Sequence, residues 1–410
     1  MAIKNGPTNS DNSQRATPPK FLIVMIAPTP FYSGRGTHMR ILHEANALAE
    51  RGHRIIIVTY HNGTTPDNLH PNISIRRIIR FLFWYTQIAP GPNWQKIFLD
   101  MLLCIKTLRI SKKEKPAILH GHLHEGILIG WVVKKLLFFR KLILVGDFHG
   151  PLVEEMRSHG YLRIGLIQKI FNFIEKIIHR MPNQVFVSSP GLKQKINGDR
   201  KENDAFVLTD APTLTYKSNP PANLVHNRHE SDLPSVVYTG GFTPDKGLEQ
   251  LFEVIAYSIK NGLLCHWIIA GDPLKQLIVP EEIKTALTVI SPLGYERLSE
   301  LLQRADVACD PKRGNILQGS GKLLNYMYAG LPTVCFDGPA QRFYLGDELA
   351  AIFIARDTED FYHILKTLLA MPADEKRKLK AKILKRVNEF SWAQSARMLE
   401  NHYAEQLELK

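Results

Sequence analysis

The strongest constraint on the fold is a short apolar run followed by a glycine-bearing loop and then by a helical pattern. Residues 21–27 are continuously apolar, as in a strand buried on both faces of a parallel sheet. Apolar residues then recur at helical spacing from Ile41 to Ala49, Gly52 follows as a left-handed helix cap, and residues 55–59 resume a strand. This order predicts a strand–helix–strand unit with a right-handed crossover.

The second half of the chain has the same order of elements. A short strand at 236–239 ends at Gly240 and Gly241, and an amphipathic helical pattern runs from Leu248 to Ile259. Further strands are predicted at 266–270, 306–310 and 333–337, with helices around 298–302 and at 321–329. Strand–helix alternation in both halves predicts an α/β chain with two Rossmann-like parallel-sheet domains that face each other across a cleft.

Composition suggests where these domains begin and end. Residues 1–20 are polar and rich in Asn, Ser, Thr and Pro, which predicts a disordered tail, and residues 213–234 have the Pro, Asn and Ser content of an interdomain linker. We therefore expect an N-terminal domain at 21–212, a C-terminal domain at 235–390 and a final helix at 391–410 that crosses back to the N-terminal domain.

The charge balance indicates anionic partners. Among 410 residues, 52 Lys and Arg exceed 39 Asp and Glu, which gives a net charge of +13. This excess suits nucleotide phosphates or acidic lipid headgroups, while the lack of a recognition motif argues against nucleic acid. The four cysteines lack metal-ligand spacing and lie in apolar runs, so we expect buried, reduced thiols in a cytoplasmic protein. No uncharged apolar run approaches the roughly 18 residues of a spanning helix.

The first glycine loop is a candidate phosphate site. Gly34 and Gly36 let the backbone approach a ligand closely, the next helix begins with unpaired N–H groups, and Arg35 and Arg40 add positive charge. Met39 stands where a dinucleotide-binding fingerprint has its third glycine, which disfavours a nicotinamide cofactor. The alternative is a tight turn without a ligand.

Histidines follow a predicted strand at 117–119. Their alternation predicts that His120, His122 and His124 lie on one side of an extended segment. They would bind a metal ion or donate hydrogen bonds to a sugar and its phosphate, and the alternative is a turn in which backbone carbonyls satisfy them. Asp147 and His149 come after the strand at 142–145, at the same edge of the sheet, where either would orient a hydroxyl or cap a loop.

The C-terminal half contributes two more candidate anion sites. Lys246 closes the glycine loop at 240–247 just before a helix, where it would reach a diphosphate or remain a solvated surface lysine. The segment Gln318-Gly-Ser-Gly-Lys322 opens the next helix and combines two glycines, the Ser320 hydroxyl, the Lys322 cation and a helix N-terminus, beginning at Gly321. The P-loop pattern itself is missing.

Three segments mix bulky apolar residues with Lys and Arg: 94–115, 131–141 and 161–180. The simpler interpretation is that these helices pack on the first sheet with their lysines toward solvent. The alternative is that they lie on an anionic bilayer, which would serve an acceptor carried on a lipid.

At these motifs the chain resembles the retaining glycosyltransferases of family 4, which have the GT-B fold. The resemblance rests on residues 30–36 with 51–53, on 119–125, on 238–247, on 321–332 and on Phe390-Ser-Trp392 before the last helix. It implies a nucleotide-diphosphate sugar held mainly by the C-terminal domain, an acceptor against the N-terminal domain, and no cofactor or obligatory metal.

The resemblance also implies residue roles. His122 would contact the donor sugar, with His120 as the neighbouring alternative, Lys246 would pair with the donor phosphates, and Gly36 would lie near the reacting centre. Asp147 is a further expected catalytic residue. The other residues expected to bind the donor are Gly34, Gly241, Ser320, Gly321, Lys322 and Asn325. The family's two glutamates are replaced by Leu317 and Asn325.

The sequence therefore predicts an enzyme that moves a sugar from a nucleotide sugar to a glycan or lipid-linked acceptor, in polysaccharide or glycolipid synthesis. It would work in the cytoplasm or peripherally on the inner face of the cell membrane. The departures at Leu317 and Asn325 motivate an alternative, a catalytically weak nucleotide-sugar-binding protein that acts with a partner. A sugar-nucleotide epimerase of the same fold is a third interpretation.

Overall fold

The computed structural model describes residues 20–33, 36–67, 69–80, 94–158, 165–200, 205–214, 233–242, 246–271, 277–293, 295–313 and 317–408. The predicted tail at 1–20 lies outside these ranges except for Lys20. The predicted linker at 213–234 is described only at its two ends, so most of it also lies outside.

The first lobe is built on a parallel sheet of seven strands. They are β1 (Leu22–Ala27), β2 (Arg54–Thr59), β3 (Ile73–Arg77), β4 (Ile118–His122), β5 (Ile143–Phe148), β6 (Gln184–Val187) and β7 (Ala205–Val207). Their order across the sheet is β3-β2-β1-β4-β5-β6-β7. The helices of this lobe are α1 (Gly36–Glu50), α2 (Trp94–Glu114), α3 (Leu123–Leu136), α4 (Leu152–Ser158), α5 (Leu166–His179) and α6 (Pro190–Asp199).

Alternating side chains of the central strand explain why this sheet is covered on both faces. Ile23 and Met25 of β1 pack in one cluster with Ile41 and Leu48 of α1. Val24 and Ile26 point the other way and pack with residues of α2 and α3. Because both faces are covered, the strand is apolar along its whole length rather than at every second residue.

The second lobe repeats the architecture with six strands. They are β8 (Ser235–Thr239), β9 (His266–Ala270), β10 (Leu287–Ile290), β11 (Val307–Asp310), β12 (Thr333–Phe336) and β13 (Ile354–Ala355), in the order β10-β9-β8-β11-β12-β13. The helices are α7 (Leu248–Lys260), α8 (Tyr295–Arg304), α9 (Gly321–Tyr328), α10 (Pro339–Phe353), α11 (Thr358–Ala370), α12 (Ala373–Val387) and α13 (Trp392–Glu408), with a 3-10 helix at Glu281–Ala286. Two parallel sheets flanked by helices confirm the predicted fold class.

The last helix, α13, packs against α1 of the first lobe. Its Glu400 is buried and accepts hydrogen bonds from Arg51 Nε at 2.6 Å and from His53 Nε2 at 2.9 Å. Tyr403, three residues further, is completely buried beside β4. The end of the chain therefore stabilises the first lobe through a buried carboxylate and an aromatic ring.

None of the helices in the described ranges combines the length and apolar content that a membrane span needs. Cys265, Cys309 and Cys335 are buried free thiols, as expected, whereas Cys104 on α2 is only half-buried. Strand β5 continues three residues past the predicted end at Val145, so Asp147 belongs to the strand itself.

Close packing of α3 on β4 generates the first prediction. A Cβ atom on Gly121 would lie 2.7 Å from backbone atoms of Gly126 and Ile127, which have no room to move aside. Gly121→Ala should therefore lower the free energy of unfolding by about 1–3 kcal/mol, measured by urea denaturation. Gly198→Ala is the matched control, because nothing lies within 4 Å of its Cβ position and alanine favours a helix. Equal effects of the two substitutions would contradict the packing.

Candidate functional site

The strand order of each sheet reverses at one point, between β1 and β4 in the first lobe and between β8 and β11 in the second. Ligands of parallel α/β sheets bind beyond the carboxyl ends of the strands at such reversals. Gly36 begins α1 after β1, and His122 is the last residue of β4; Gly241 follows β8, and Asp310 is the last residue of β11. Residues of both halves therefore lie where this fold offers a binding crevice.

A buried arginine organises the first of these two points. Arg40 on α1 donates to both carboxylate oxygens of Asp147 at 2.8 Å, and its Nη1 donates to Asp210 at 2.6 Å and to the Leu208 carbonyl at 3.1 Å. Its side chain is only 4% exposed. The sequence predicts that Arg40 adds positive charge to a phosphate-binding loop. This prediction is wrong, because Asp147 and Asp210 already neutralise the guanidinium.

Asp147 is the centre of this network. Burial acts to raise the pKa of its carboxyl group, but the Arg40 guanidinium and hydrogen bonds from His149 and His122 hold that pKa well below its ordinary value. His149 Nε2 lies 2.9 Å from Asp147 Oδ2, and His122 Nδ1 lies 3.3 Å from the same oxygen. Asp147 is therefore ionised, fully hydrogen-bonded and fixed in position.

His120 and His122 lie on the same side of β4, as predicted from their spacing. Their rings stack with centroids 4.6 Å apart, and His120 Nδ1 lies 2.7 Å from the Tyr403 hydroxyl. Burial lowers the pKa of His122 to about 4 and that of His120 well below its ordinary value, so both imidazoles are neutral near pH 7. The Nε2 atom of His122 is buried and has no hydrogen-bond partner within the described ranges.

His124 departs from the expected pattern. Leu123 adopts a left-handed conformation with φ 61° and begins α3, so the alternation of an extended segment ends one residue earlier. His124 therefore turns away from the other two histidines and faces Glu175 and His179 of α5. The prediction that all three histidines share one side is wrong for His124.

Four buried groups at this point have the chemistry of metal ligands, because atoms of Glu44, His120, His122 and Asp147 lie within 4.8 Å of one another. Asp147, however, already accepts hydrogen bonds from Arg40 at both oxygens. Burial, and then the nearby charge of Asp147, raises the pKa of Glu44 well above its ordinary value, which favours the protonated form of this carboxyl. The set suits a hydrogen-bonding ligand better than a cation.

In the second lobe, Asp310 is the buried carboxylate that corresponds to Asp147. It is completely buried, accepts from Ser320 Oγ at 2.6 Å and lies 3.1 Å from Lys322 Nζ. The Lys322 ammonium also lies 4.2 Å from the ring centroid of Tyr238. Burial acts to raise the pKa of Asp310, but Lys322 and Lys312 keep it below its ordinary value. The charge of Lys322 is thus compensated within its own lobe.

The two lobes contact each other directly at residues 317–318, just before α9. Lys246 Nζ donates to Gln318 Oε1 at 3.4 Å, and the Gln318 amide donates to Glu155 of the first lobe. Burial raises the pKa of Glu155, although the Gln318 hydrogen bond and the charge of Lys246 act in the opposite direction. Ser189 donates to the Leu317 carbonyl across the same boundary. Lys246 is therefore linked through one amide to the first lobe.

The remaining expected donor residues have different surroundings. A Cβ on Gly36 or Gly241 would meet nothing within 4 Å, and on Gly321 it would approach only Asp210, at 4.0 Å. Asn325 is buried and accepts a hydrogen bond from the Thr213 amide at 2.9 Å. Gly34 and Arg35 lie outside the described residues.

Sequence reasoning missed several members of the site: Asp210, Glu44, Asp310 and Gln318. Asp210 had one usable signal, since it follows β7 closely and so lies near the carboxyl ends of the strands. Glu44 and Asp310 lie within largely apolar segments and Gln318 begins a glycine-containing segment, and only the folded structure shows which polar groups they contact.

The buried ion pair yields the second prediction. Arg40→Met leaves the Asp147 charge buried without its main partner, so the free energy of unfolding should fall by about 3–5 kcal/mol in denaturant at pH 7. Adding Asp147→Asn should recover part of this loss because it removes the charge. The control is Arg342→Met, which breaks an exposed pair with Asp337 and should cost at most about 1 kcal/mol. Equal losses of unfolding free energy in Arg40→Met and Arg342→Met would contradict the conclusion that Arg40 neutralises a buried carboxylate.

Two family models match the chain. The model described as Glycosyltransferase Family 4 matches residues 34–203, and the model described as Glycosyl transferases group 1 matches residues 233–371. Each model thus covers most of one lobe.

Named relatives and solved structures agree with these matches. A sulfoquinovosyl transferase of Arabidopsis thaliana is 22% identical over 77% of this chain and 59% of its own length, so the chain spans about three fifths of that relative. An α-(1→4)-mannosyltransferase of Mycolicibacterium hassiacum is 22% identical over 88% of this chain and 91% of its own length.

Among solved structures, the sucrose-phosphate synthase of Thermosynechococcus elongatus has a TM-score of 0.72 at 16% identity and covers 95% of this chain and 100% of its own. Anabaena HepE, solved in complex with UDP-glucose, has a TM-score of 0.63 at 12% identity and covers 95% and 100%. At these identities the structures show a shared fold. They show that the chain has the two-lobed GT-B fold, and the two family models show that it belongs to the family 4 glycosyltransferases.

Proposed function

We propose that the chain is a retaining glycosyltransferase that moves a sugar from a nucleotide-diphosphate sugar to a glycan or lipid-linked acceptor. The observation that carries this proposal is the hydrogen-bonded chain from Lys246 through Gln318 to Glu155, which connects the two lobes. The resemblance of the whole fold to a protein solved with UDP-glucose supports the type of donor. The family resemblance supports retention of configuration as part of this proposal.

Charge explains what these residues would do. Cleavage of the sugar–phosphate bond develops positive charge on the sugar ring and negative charge on the departing diphosphate. Lys246 and the N-terminal amides of α9 would stabilise the diphosphate in the transition state. Contact between the lobes beside Ser189 and Leu317 would exclude water from the bond being broken.

The first lobe would supply a polar contact to the sugar. His122 is neutral and buried, and its Nδ1 lies beside Asp147, so its Nε2 carries a lone pair that would accept a sugar hydroxyl. His120 stacks behind His122 and binds Tyr403. His120 and Asp147 are thus proposed as positioning residues and His122 as the group that touches substrate. No step requires a metal ion or another cofactor.

The third prediction tests Lys246. Lys246→Ala should slow release of nucleoside diphosphate from a nucleotide-diphosphate sugar at least ~100-fold, because a preorganised charge on the leaving group is lost. Rates would be measured over a panel of nucleotide sugars that includes UDP-glucose. Lys378→Ala, at an exposed lysine of α12, is the control. Unchanged rates in Lys246→Ala would remove this residue from the site.

Lys322 offers an internal comparison within the same assay. Because Asp310 already compensates its charge, Lys322→Ala should raise the donor KM more than it lowers kcat. It is compared with Lys322→Ala combined with Asp310→Asn, which leaves no unpaired carboxylate buried. An unchanged donor KM in both variants would exclude Lys322 from donor binding.

One observation favours a second candidate function, a catalytically weak nucleotide-sugar-binding protein. The amide oxygen of Asn325, which stands where the family has a glutamate, accepts from the Thr213 amide. Thermal stabilisation by nucleotide sugars without hydrolysis or transfer would favour this alternative. Conversion of a nucleotide sugar without an acceptor would instead indicate an epimerase.

The outer helices of the first lobe support peripheral binding to an anionic membrane. Helix α3 contacts both α2 and α5, so the three helices lie side by side. Large apolar side chains are exposed on them or just beyond α3: Ile97, Phe98, Met101, Ile105, Leu128, Leu136, Phe138, Phe139, Leu166, Ile167, Ile170, Phe173, Ile174 and Ile177. Exposed lysines accompany them, such as Lys169 and Lys176 on α5. Apolar side chains beside cations suit acyl chains beneath acidic headgroups.

The fourth prediction concerns this surface. Replacing Ile170 and Phe173 together by serine should reduce flotation with phosphatidylglycerol vesicles at low salt by at least ~10-fold, since each side chain loses apolar contact. The matched control is Leu264→Ser with Ile278→Ser, at two exposed apolar positions of the second lobe. Equal flotation of wild type and both variants, or none at all, would contradict membrane binding through α5.

A further inference from the structure

Helix α5 is attached to the first lobe in an unusual way. Its apolar residues Phe173, Ile174 and Ile177 face solvent. The residues it buries are Glu175, Ile178 and His179, of which two are polar. Little apolar contact therefore holds the helix against the fold, and the polar groups beneath it need strong partners.

Three buried side chains converge beneath α5. His124 Nε2 lies 3.7 Å from Glu175 Oε1, and His179 Nε2 lies 4.0 Å from the same oxygen. The side chains are 6%, 2% and 0% exposed for His124, Glu175 and His179. These distances are too long for hydrogen bonds. Both Nε2 atoms are buried without a hydrogen-bond partner in the part of the chain that the structure describes.

The surroundings orient these groups as ligands. His179 Nδ1 lies 2.8 Å from Asp199 Oδ2, so in the neutral imidazole Nδ1 carries the proton and Nε2 presents its lone pair to the cluster. Glu175 Oε1 accepts from the Leu152 amide at 2.7 Å, and Lys195 Nζ lies 3.2 Å from Glu175 Oε2 and 3.4 Å from Oε1. A metal ion on Oε1 would therefore replace the longer of the two Lys195 contacts. A carboxylate on the far nitrogen of a histidine is the arrangement that supports metal-bound imidazoles.

We propose that His124, Glu175 and His179 bind a divalent transition-metal ion, Zn²⁺ by the type of its ligands, and that this ion fastens α5 to α3. Two imidazole nitrogens and one carboxylate oxygen are a frequent zinc ligand set. At Zn–ligand distances near 2.1 Å, the ligand atoms of a tetrahedral site lie about 3.4 Å apart. The ligand atoms of this cluster lie within 4.8 Å of one another, so the side chains would close in by at most about 1.4 Å. The site is separate from the His120–His122 cluster, where Arg40 occupies the carboxylate.

The fifth prediction is a metal-binding measurement on the full chain. After treatment with a chelator and dialysis, the protein should take up one Zn²⁺ per chain, measured by elemental analysis, and Zn²⁺ should raise its Tm by mass action. Co²⁺ in place of Zn²⁺ should give visible d–d absorption bands, which report nitrogen and oxygen ligation directly. No stoichiometric uptake, or uptake without these bands, would overturn the proposal.

Variants locate the site. His179→Gln and Glu175→Gln should each abolish stoichiometric uptake and the Co²⁺ bands, and Asp199→Asn should weaken Zn²⁺ binding ~10- to 100-fold. Two controls should keep both signals: His363→Gln, in an exposed pair with Glu359, and His120→Gln in the other histidine cluster. Circular dichroism verifies folding, and a variant that does not fold is replaced by His124→Gln. Loss of uptake in His120→Gln alone would place the ion elsewhere and refute the assignment.

Discussion

The ion pair between Arg40 and Asp147 is the interaction on which the first lobe's half of the site depends. It joins α1 to β5 at the carboxyl ends of the strands. Arg40 also donates a hydrogen bond to Asp210, in the segment that follows β7. A buried guanidinium with this geometry keeps Asp147 ionised, and ionised Asp147 in turn fixes His149 and His122. The orientation of His122, which would face the sugar, is thus set by an arginine that need not touch the substrate.

The second lobe also has a buried carboxylate paired with a cation at its strand reversal, formed by different residues. Asp310 ends β11 as a buried carboxylate and is balanced by Lys322, just as Asp147 is balanced by Arg40. In both lobes a carboxylate at the strand reversal is compensated locally, which leaves the polar groups around it in defined positions. Lys246 differs, because it donates to the neutral amide of Gln318 at the boundary between the lobes. In the proposed function, this ammonium would contact the phosphates of the donor.

Local pattern was enough to predict the buried strands and the helices that follow them, because residues 21–27 and 266–270 reflect a sheet covered on both faces. The local pattern failed where the backbone conformation of one residue, or a contact between residues far apart in sequence, determines what a side chain faces. The left-handed Leu123 starts α3 and turns His124 away from its neighbours, and alternation along the sequence contains no sign of this. Arg40 and Asp210 are 170 positions apart, so only the folded chain shows that the arginine is internally neutralised rather than available for phosphate.

Helix α5 also shows what a sequence pattern does not predict. The same helix carries both the proposed membrane surface and the proposed metal site. Periodicity establishes that the helix is amphipathic, but it does not say which side faces the protein, and here the apolar side faces outward. A helix that reserves its apolar side for a membrane must be attached to its own fold by the polar side. Glu175 and His179 lie on that side, and a metal ion is one of the few partners strong enough to offset their burial. Under both proposals, the outward apolar face of α5 would contact the membrane, and the inward ligand cluster would attach the helix to the rest of the first lobe.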